Sequence, residues 1–458
     1  MQYACTRFVN VADGDFAGVS EGWSKYYWIP WREYLGRRLK RMTVLSRRSF
    51  LSAAAGAPLI AMGAGNGPPM ASAGELKSVT ADAKPISGGE RLARIAKVQM
   101  LMSERKVAAL LIEPGSTLDY FTGIRWRRSE RITLAIIPAR GEVLVVTPAF
   151  EEPSVRETLQ VGGDVRPWNE HESPIERIVQ GLRDRGTVSG VLAVESTTRF
   201  FIVDGLRQAS NAYDMISADP LVRACRLIKS PAELALMQSA NNVTLEALRF
   251  VHAQVERGMD SANISALMDR ATVSLGGSPE FALVLLNEAS AYPHGSLQVQ
   301  AVGEGSTILM DCGCTVHGYQ SDISRTWVFG QASARQRKVW STVKRGQEIT
   351  LETAKLGLPV GRIDDAVRRY YEGEGWGPGY KLPGLSHRTG HGIGLDGHEP
   401  AYLVHGDTSP LQAGMCFSDE PGIYIPGEFG VRLEDCWVMT ASGPKLFTPL
   451  AKSLDEPI

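Results

Sequence analysis

A charge imbalance is the first thing this chain lacks: 49 Lys and Arg stand against 50 Asp and Glu, a formal net charge of -1. Nucleic-acid binders carry a basic bias or a dense basic stripe, so nucleic acid is not an expected partner. Long apolar runs are also lacking. No stretch of strongly apolar residues reaches the length of about 20 that a bilayer-spanning helix needs, so no membrane partner is expected. Cysteine is scarce, 6 in 458 residues, and its spacing fits neither a zinc pattern nor a disulfide framework. Cys312-x-Cys314, flanking Asp311 on a buried strand, reads as small apolar filler.

A hydrophobic content of 43% marks a globular chain, and 458 residues predict two domains plus extras. Residues 46–73 read as a targeting segment. Ser46-Arg47-Arg48-Ser49-Phe50-Leu51 is a twin-arginine signature, Ala53 to Gly65 a mild apolar run, and Ala71-Ser72-Ala73 an A-x-A cleavage site, which together predict export to the periplasm. Signal peptides open chains, so Met42 is the expected start and residues 1–41 read as a non-native upstream extension. Residues 74–88, small, polar and punctuated by Pro and Gly, read as a linker.

From Gly89 helical and strand patterns alternate. Helices are predicted at Glu90 to Lys106, Ser173 to Arg185 and Thr198 to Gln208, and strands at Ala108 to Ile112, Ile132 to Ile137, Glu142 to Thr147 and Gly190 to Val194. This is an α/β domain over 89–222, without a glycine-rich phosphate loop. A second unit, 226–458, starts where Ser230, Pro231 and Glu233 form a capping box before a long helix. Another helix follows, from Ser261 to Leu275. Strands come next, at Phe281 to Leu286, Thr307 to Cys312 and Tyr319 to Phe329, then helices at Ala334 to Leu356 and Gly361 to Glu374. Paired helices over a mostly antiparallel sheet make an α+β layer.

The chemistry gathers in this second unit. Asp311 and Asp322 lie on strand-like segments around a Val316-His317-Gly318 turn, and Glu420 and Glu434 lie around Pro426-Gly427-Glu428. Each pair is predicted to sit side by side on neighbouring strands. With His391 they form an oxygen-rich, nitrogen-poor ligand set, which suits two divalent ions sharing carboxylates better than a closed structural zinc site. Arg432, two residues before Glu434, shares its strand face and can pin a carboxylate.

These motifs resemble the metal-dependent pita-bread peptidases, the family of methionine aminopeptidase, aminopeptidase P and prolidase. They are Tyr292-Pro293-His294-Gly295, Asp311-Cys312-Gly313, Ser321-Asp322-Ile323-Ser324-Arg325-Thr326, Gly390-His391-Gly392-Ile393-Gly394-Leu395, His398-Glu399, Glu420-Pro421-Gly422-Ile423-Tyr424 and Val431-Arg432-Leu433-Glu434-Asp435. The resemblance runs from Gly89 to the C-terminus and is nearest the Xaa-Pro-cleaving branch. It implies a pita-bread catalytic domain behind a smaller creatinase-type N-terminal domain, a peptide substrate and a homodimer. It also implies two divalent ions per chain, with manganese first among manganese, cobalt, zinc and iron. Asp311, Asp322 and Glu434 would hold one ion, and Asp322, His391, Glu420 and Glu434 the other. Glu420 would also be the proton carrier, His294 and His398 donors to the reacting peptide, and Arg432 a support for the ligands.

One departure from the family bears on substrate. Prolidases carry an arginine between the HE and EPG motifs that grips the dipeptide's carboxylate, whereas Pro400 to Asp419 contains no Arg or Lys. The expectation is therefore that Xaa-Pro-Yaa tripeptides are cleaved at least as well as dipeptides, unless Arg125-Trp126-Arg127-Arg128 reaches in from a partner subunit. Two other classes share the fold: a creatinase-like C–N hydrolase of a small non-peptide substrate, and a non-catalytic binding module. The complete ligand set speaks against both.

Overall fold

The computed structural model describes residues 76–458. The twin-arginine segment, everything before it and the first two linker residues lie outside the described residues.

The first layer starts with α1 (Gly88–Glu104), whose N-cap Ser87 accepts a hydrogen bond from the Glu90 N–H. It continues through β1 (Val107–Ile112), α2 (Ser116–Thr122), β2 (Leu134–Pro138), β3 (Val143–Pro148), α3 (Glu152–Thr158), β4 (Gly163–Trp168), α4 (Pro174–Asp184), β5 (Gly190–Val194), α5 (Phe200–Ala209), β6 (Tyr213–Ser217) and α6 (Asp219–Arg226). The six strands form one mixed sheet in the order β4-β3-β2-β1-β5-β6. Its two faces bury separate apolar clusters, one around Leu110, Ile112 and Phe121, the other around Leu111, Leu144 and Leu192. Alternate residues of β1 feed opposite clusters, as a strand's period of two requires.

The described part of the predicted linker is not a free tether. Ile86 is buried in the core of the second unit, and the Val79 N–H donates to Leu275 O at 3.0 Å.

The second layer opens with α7 (Pro231–Gln254), where Ser230 and Glu233 make the reciprocal capping box that their spacing predicts. After α8 (Ser261–Ser274) come β7 (Ser278–Leu286), β8 (Thr307–Val316), β9 (Tyr319–Gln320) and β10 (Ile323–Val328). Then follow α9 (Ala334–Thr353), α10 (Gly361–Gly373), β11 (Gly390–Gly392), β12 (Glu399–Leu403), β13 (Cys416–Asp419), β14 (Gly422–Ile425), β15 (Phe429–Arg432), β16 (Asp435–Thr440) and β17 (Gly443–Leu446). All pairings here are antiparallel, in sheets ordered β10-β8-β7, β12-β11-β13-β16-β17 and β14-β15. Cys312 and Cys314 are buried in the core beneath α7.

The predicted strand from Tyr319 to Phe329 is broken in two. β9 leaves the turn at His317 and Gly318, both at positive φ as two-residue hairpin turns demand. The chain then interrupts its pairing at Ser321 and Asp322 before β10 resumes. A second interruption has the same consequence. Cys416 pairs with Val438, Asp419 with Asp435 and Gly422 with Arg432, so β13-β14 and β15-β16 are two arms in one register. At the gap between them Glu420 stands opposite Glu434.

Candidate metal centre

The arms stop bonding to each other at that gap because their backbones are claimed from the sides. The Glu420 N–H donates to Thr389 O at 2.8 Å, at the entrance to β11, and the Glu434 N–H donates to Ser324 O at 3.0 Å, on β10. Glu420 is thereby drawn toward the strand carrying His391, and Glu434 toward the sheet carrying Asp311. Asp322, at the other interruption, faces the same space.

The result is a cavity of about 540 Å³ lined by Asp311, Asp322, His391, His398, Glu420 and Glu434, with His294 and Arg432 also on its wall. His391 Nε2 lies 3.6 Å from Asp322, 3.5 Å from Glu420 and 3.9 Å from Glu434. Ligand atoms of Asp311, Asp322 and Glu434 lie within 4.8 Å of one another, as do those of His391, Glu420 and Glu434, and those of Asp322, His391 and His398. Glu434 and Asp322 each belong to two of these triads.

The placement of the first acid pair differs from its sequence-based expectation. Asp311 and Asp322 are not cross-strand partners: Asp311 pairs with Ser324, because the interruption offsets Asp322. The Ser324 hydroxyl lies 2.9 Å from Asp311 Oδ1 and 2.8 Å from Glu434 Oε2, so it ties the two acids together. A serine in a metal-ligand motif gave no signal for this role. The second pair, Glu420 and Glu434, does share one register position.

The electrostatics of these carboxylates fit bound cations. Asp322 Oδ1 and Glu434 Oε1 are buried without hydrogen-bond partners. Burial first, and then mutual repulsion among the acids, raises the pKa of Asp322 and Glu434. Burial pushes Glu420 up to about 8. Buried carboxylates this close are costly unless a cation compensates them. Burial also lowers His391, which favours the neutral imidazole that a metal requires. Its Nδ1 meets Gly392 O at 3.1 Å, leaving Nε2 for the cavity.

Around the ligands, Arg432 is 3% exposed and fully engaged. It donates to Asp311 Oδ2 at 2.6 Å, Ser324 Oγ at 3.0 Å and the Tyr424 hydroxyl at 2.9 Å. Tyr424 in turn meets His387 Nε2 at 2.7 Å. The His398 ring sits 3.9 Å from that of His391, centroid to centroid, and His294 lies in the turn after Ala291. In the basic run, Arg125 is held within its own chain by Asp119 at 2.8 Å and His317 O at 2.6 Å, and Arg128 by Pro114 O at 2.9 Å. Arg388, which the sequence reading passed over, lines the cavity with its guanidinium 4.4 Å above the Tyr402 ring.

Comparison with known proteins agrees with this geometry. Residues 235–441 match the model of metallopeptidase family M24, and residues 94–228 that of the creatinase/prolidase N-terminal domain. An uncharacterized peptidase of Schizosaccharomyces pombe is 33% identical over 386 residues, 80% of this chain and 82% of the relative. A Lactobacillus helveticus protein named Xaa-Pro dipeptidase is 30% identical over 365 residues, 78% of this chain and 97% of the relative. The crystal structure of dipeptidase PepE from Mycobacterium ulcerans superposes with a TM-score of 0.72 at 28% identity, covering 80% of this chain and 97% of that one.

Proposed function

The chain belongs to metallopeptidase family M24, with a pita-bread catalytic domain behind a creatinase-type N-terminal domain, and on that premise we propose a two-metal exopeptidase acting at Xaa-Pro bonds. Its substrates are Xaa-Pro dipeptides or the N-terminal Xaa-Pro bond of longer peptides. The observation that carries this reading is the fusion of two acid-rich triads through Glu434 in one buried cavity. The dipeptidase and Xaa-Pro names of its relatives support the substrate.

Asp311, Asp322 and Glu434 would hold one ion, and Asp322, His391, Glu420 and Glu434 the other, with manganese favoured over cobalt, zinc and iron. Bound dications would polarise the scissile carbonyl and lower the pKa of the attacking water. Glu420 has its two oxygens turned to different neighbours, Oε1 toward His391 at 3.5 Å and Oε2 toward His387 at 3.7 Å. One oxygen can therefore serve as ligand while the other takes the water's proton and delivers it to the leaving proline nitrogen. His294 and His398, on the cavity wall, would donate to the developing oxyanion and position the scissile bond. Arg432 keeps Asp311 fixed throughout. A homodimer belongs to the same reading and is checked by sedimentation.

Hydrolysis of Ala-Pro and Ala-Pro-Gly by protein stripped with chelator and then reloaded with manganese tests the proposal. Activity is expected to vanish on stripping and return on reloading. Full activity in verified metal-free protein would move the chain to metal-free C–N hydrolysis, and no activity on any Xaa-Pro peptide would move the substrate elsewhere.

A further inference from the structure

The wall of the catalytic cavity carries two arginines, Arg432 and Arg388, among five acids, Glu280, Asp311, Asp322, Glu420 and Glu434. Arg432 is spent on Asp311, Ser324, Tyr424 and Pro293 O, and is buried. Arg388 is half-buried and makes neither an ion pair nor a side-chain hydrogen bond among the described residues. A guanidinium on the wall of an acid-lined cavity, two residues from the β11 strand, would ordinarily be neutralised by the nearest carboxylate. Here, among the described residues, the guanidinium meets only a ring face.

That contact sets its orientation. Tyr402 lies on β12 directly across from His391 on β11, and the Arg388 guanidinium stacks on its ring. Stacking satisfies the face of the guanidinium and leaves its in-plane N–H donors, the fork that matches a carboxylate, unengaged. Tyr402 also falls within the stretch from Pro400 to Asp419, where neither Arg nor Lys occurs. That stretch supplies the seat for a cation that comes from the segment before β11.

We propose that Arg388, seated on Tyr402, is the specificity residue that binds the free C-terminal carboxylate of a dipeptide substrate. The proposal rests on the Xaa-Pro reading above and reverses the expectation that tripeptides are cleaved at least as well as dipeptides. A dipeptide's carboxylate lies one residue from the scissile bond, inside a cavity whose other lining arginine, Arg432, is already engaged. Without Arg388 it would be desolvated and unpaired, which costs about ten- to a hundredfold in kcat/KM.

The test compares Ala-Pro with Ala-Pro-amide in metal-loaded wild type, Arg388→Ala, Arg388→Lys and Tyr402→Leu, with metal content and melting temperature measured for each. In wild type the free acid is expected to be the better substrate. In Arg388→Ala the acid-to-amide ratio of kcat/KM should fall about ten- to a hundredfold, mainly through KM, with smaller falls in Arg388→Lys and Tyr402→Leu. An unchanged ratio in Arg388→Ala overturns the proposal, whatever the absolute rates. Calorimetric titration with the reduced-bond, non-cleavable Ala-Pro isostere and its amide separates this from the fate of the Xaa-Pro reading. If wild type hydrolyses no Xaa-Pro peptide, that reading falls, yet an acid-over-amide binding preference lost in Arg388→Ala still upholds the carboxylate site. No preference in wild type overturns it.

Discussion

Arg432 and Asp311 meet at 2.6 Å although they sit 121 residues apart, one at the end of β15 and the other within β8. The contact brings a positive charge into an acid cluster without occupying the cluster's centre. Arg432→Lys keeps a charge but has neither the reach nor the fork to serve Asp311, Ser324 and Tyr424 at once. Metal affinity of that variant should fall about 10- to 100-fold, as for other groups that orient ligands. Arg432→Ala, which leaves Asp311 without its partner, should in addition lower the stability of metal-free protein by about 3–5 kcal/mol. Chelator competition and denaturant titration check the two effects; wild-type metal affinity in both variants would show that Asp311 needs no support.

Asp322 belongs to two of the three possible ligand triads. Asp322→Asn removes the charge that both ions would share, so elemental analysis of the purified variant should find both ions lost, against two per chain in wild type. A full complement of two in the variant would refute the bridging assignment.

Folding of the metal-free protein should depend on pH in a direction fixed by the buried acids. Burial raises Glu420 from 4.5 to about 8, and Asp322 and Glu434 shift the same way. An acid with a higher pKa in the folded state contributes stability at low pH that is lost as pH rises through the folded value. The histidines act oppositely, since burial lowers His387 to about 3, but their effect is complete by their ordinary value of 6.5. Between pH 6.5 and about 8 the carboxylates act without that opposition. Tm of metal-free protein should therefore drop across this interval, while the metal-loaded protein, with its carboxylates ionised and neutralised by cations, should not. Parallel melting curves for the two forms would remove the electrostatic argument.

Residues 46–73 lie outside the described residues, and we propose from their sequence that they direct twin-arginine export with cleavage after Ala73. N-terminal sequencing of periplasmic protein should begin at Gly74, and Arg47→Lys with Arg48→Lys should retain the protein in the cytoplasm. Export undiminished in that double variant would sink the proposal.

Much of the candidate site was legible because residues able to hold metals are chemically conspicuous: two acid pairs and a histidine among glycines announce themselves. The capping box at Ser230 and Glu233 was legible for a similar reason, since its signal is local. The unread part depends on interruptions in pairing. Nothing in Tyr319 to Phe329 marks Asp322 as a break, so the offset that gives Asp311 a serine partner could not be seen. Short elements such as α2 and α3, seven residues each, show too few turns for a helical period to emerge. Arg388 gave no signal because it lies upstream of both the HE motif and the stretch after it, and only the antiparallel pairing of β11 with β12 brings it beside Tyr402.

The single register shared by the two arms from Cys416 to Val438 divides this hairpin into parts with unequal freedom to vary. Its tip, Pro426 to Glu428, is exposed, and residues added there lengthen a loop without moving either glutamate. One residue added to a single arm between Glu420 and Ile425 would slide Glu420 past Glu434 and invert the faces beyond it. Lineages of this protein can therefore decorate the tip, and an epitope or fluorescent label can be inserted there, while the arms tolerate substitution but not a change in length.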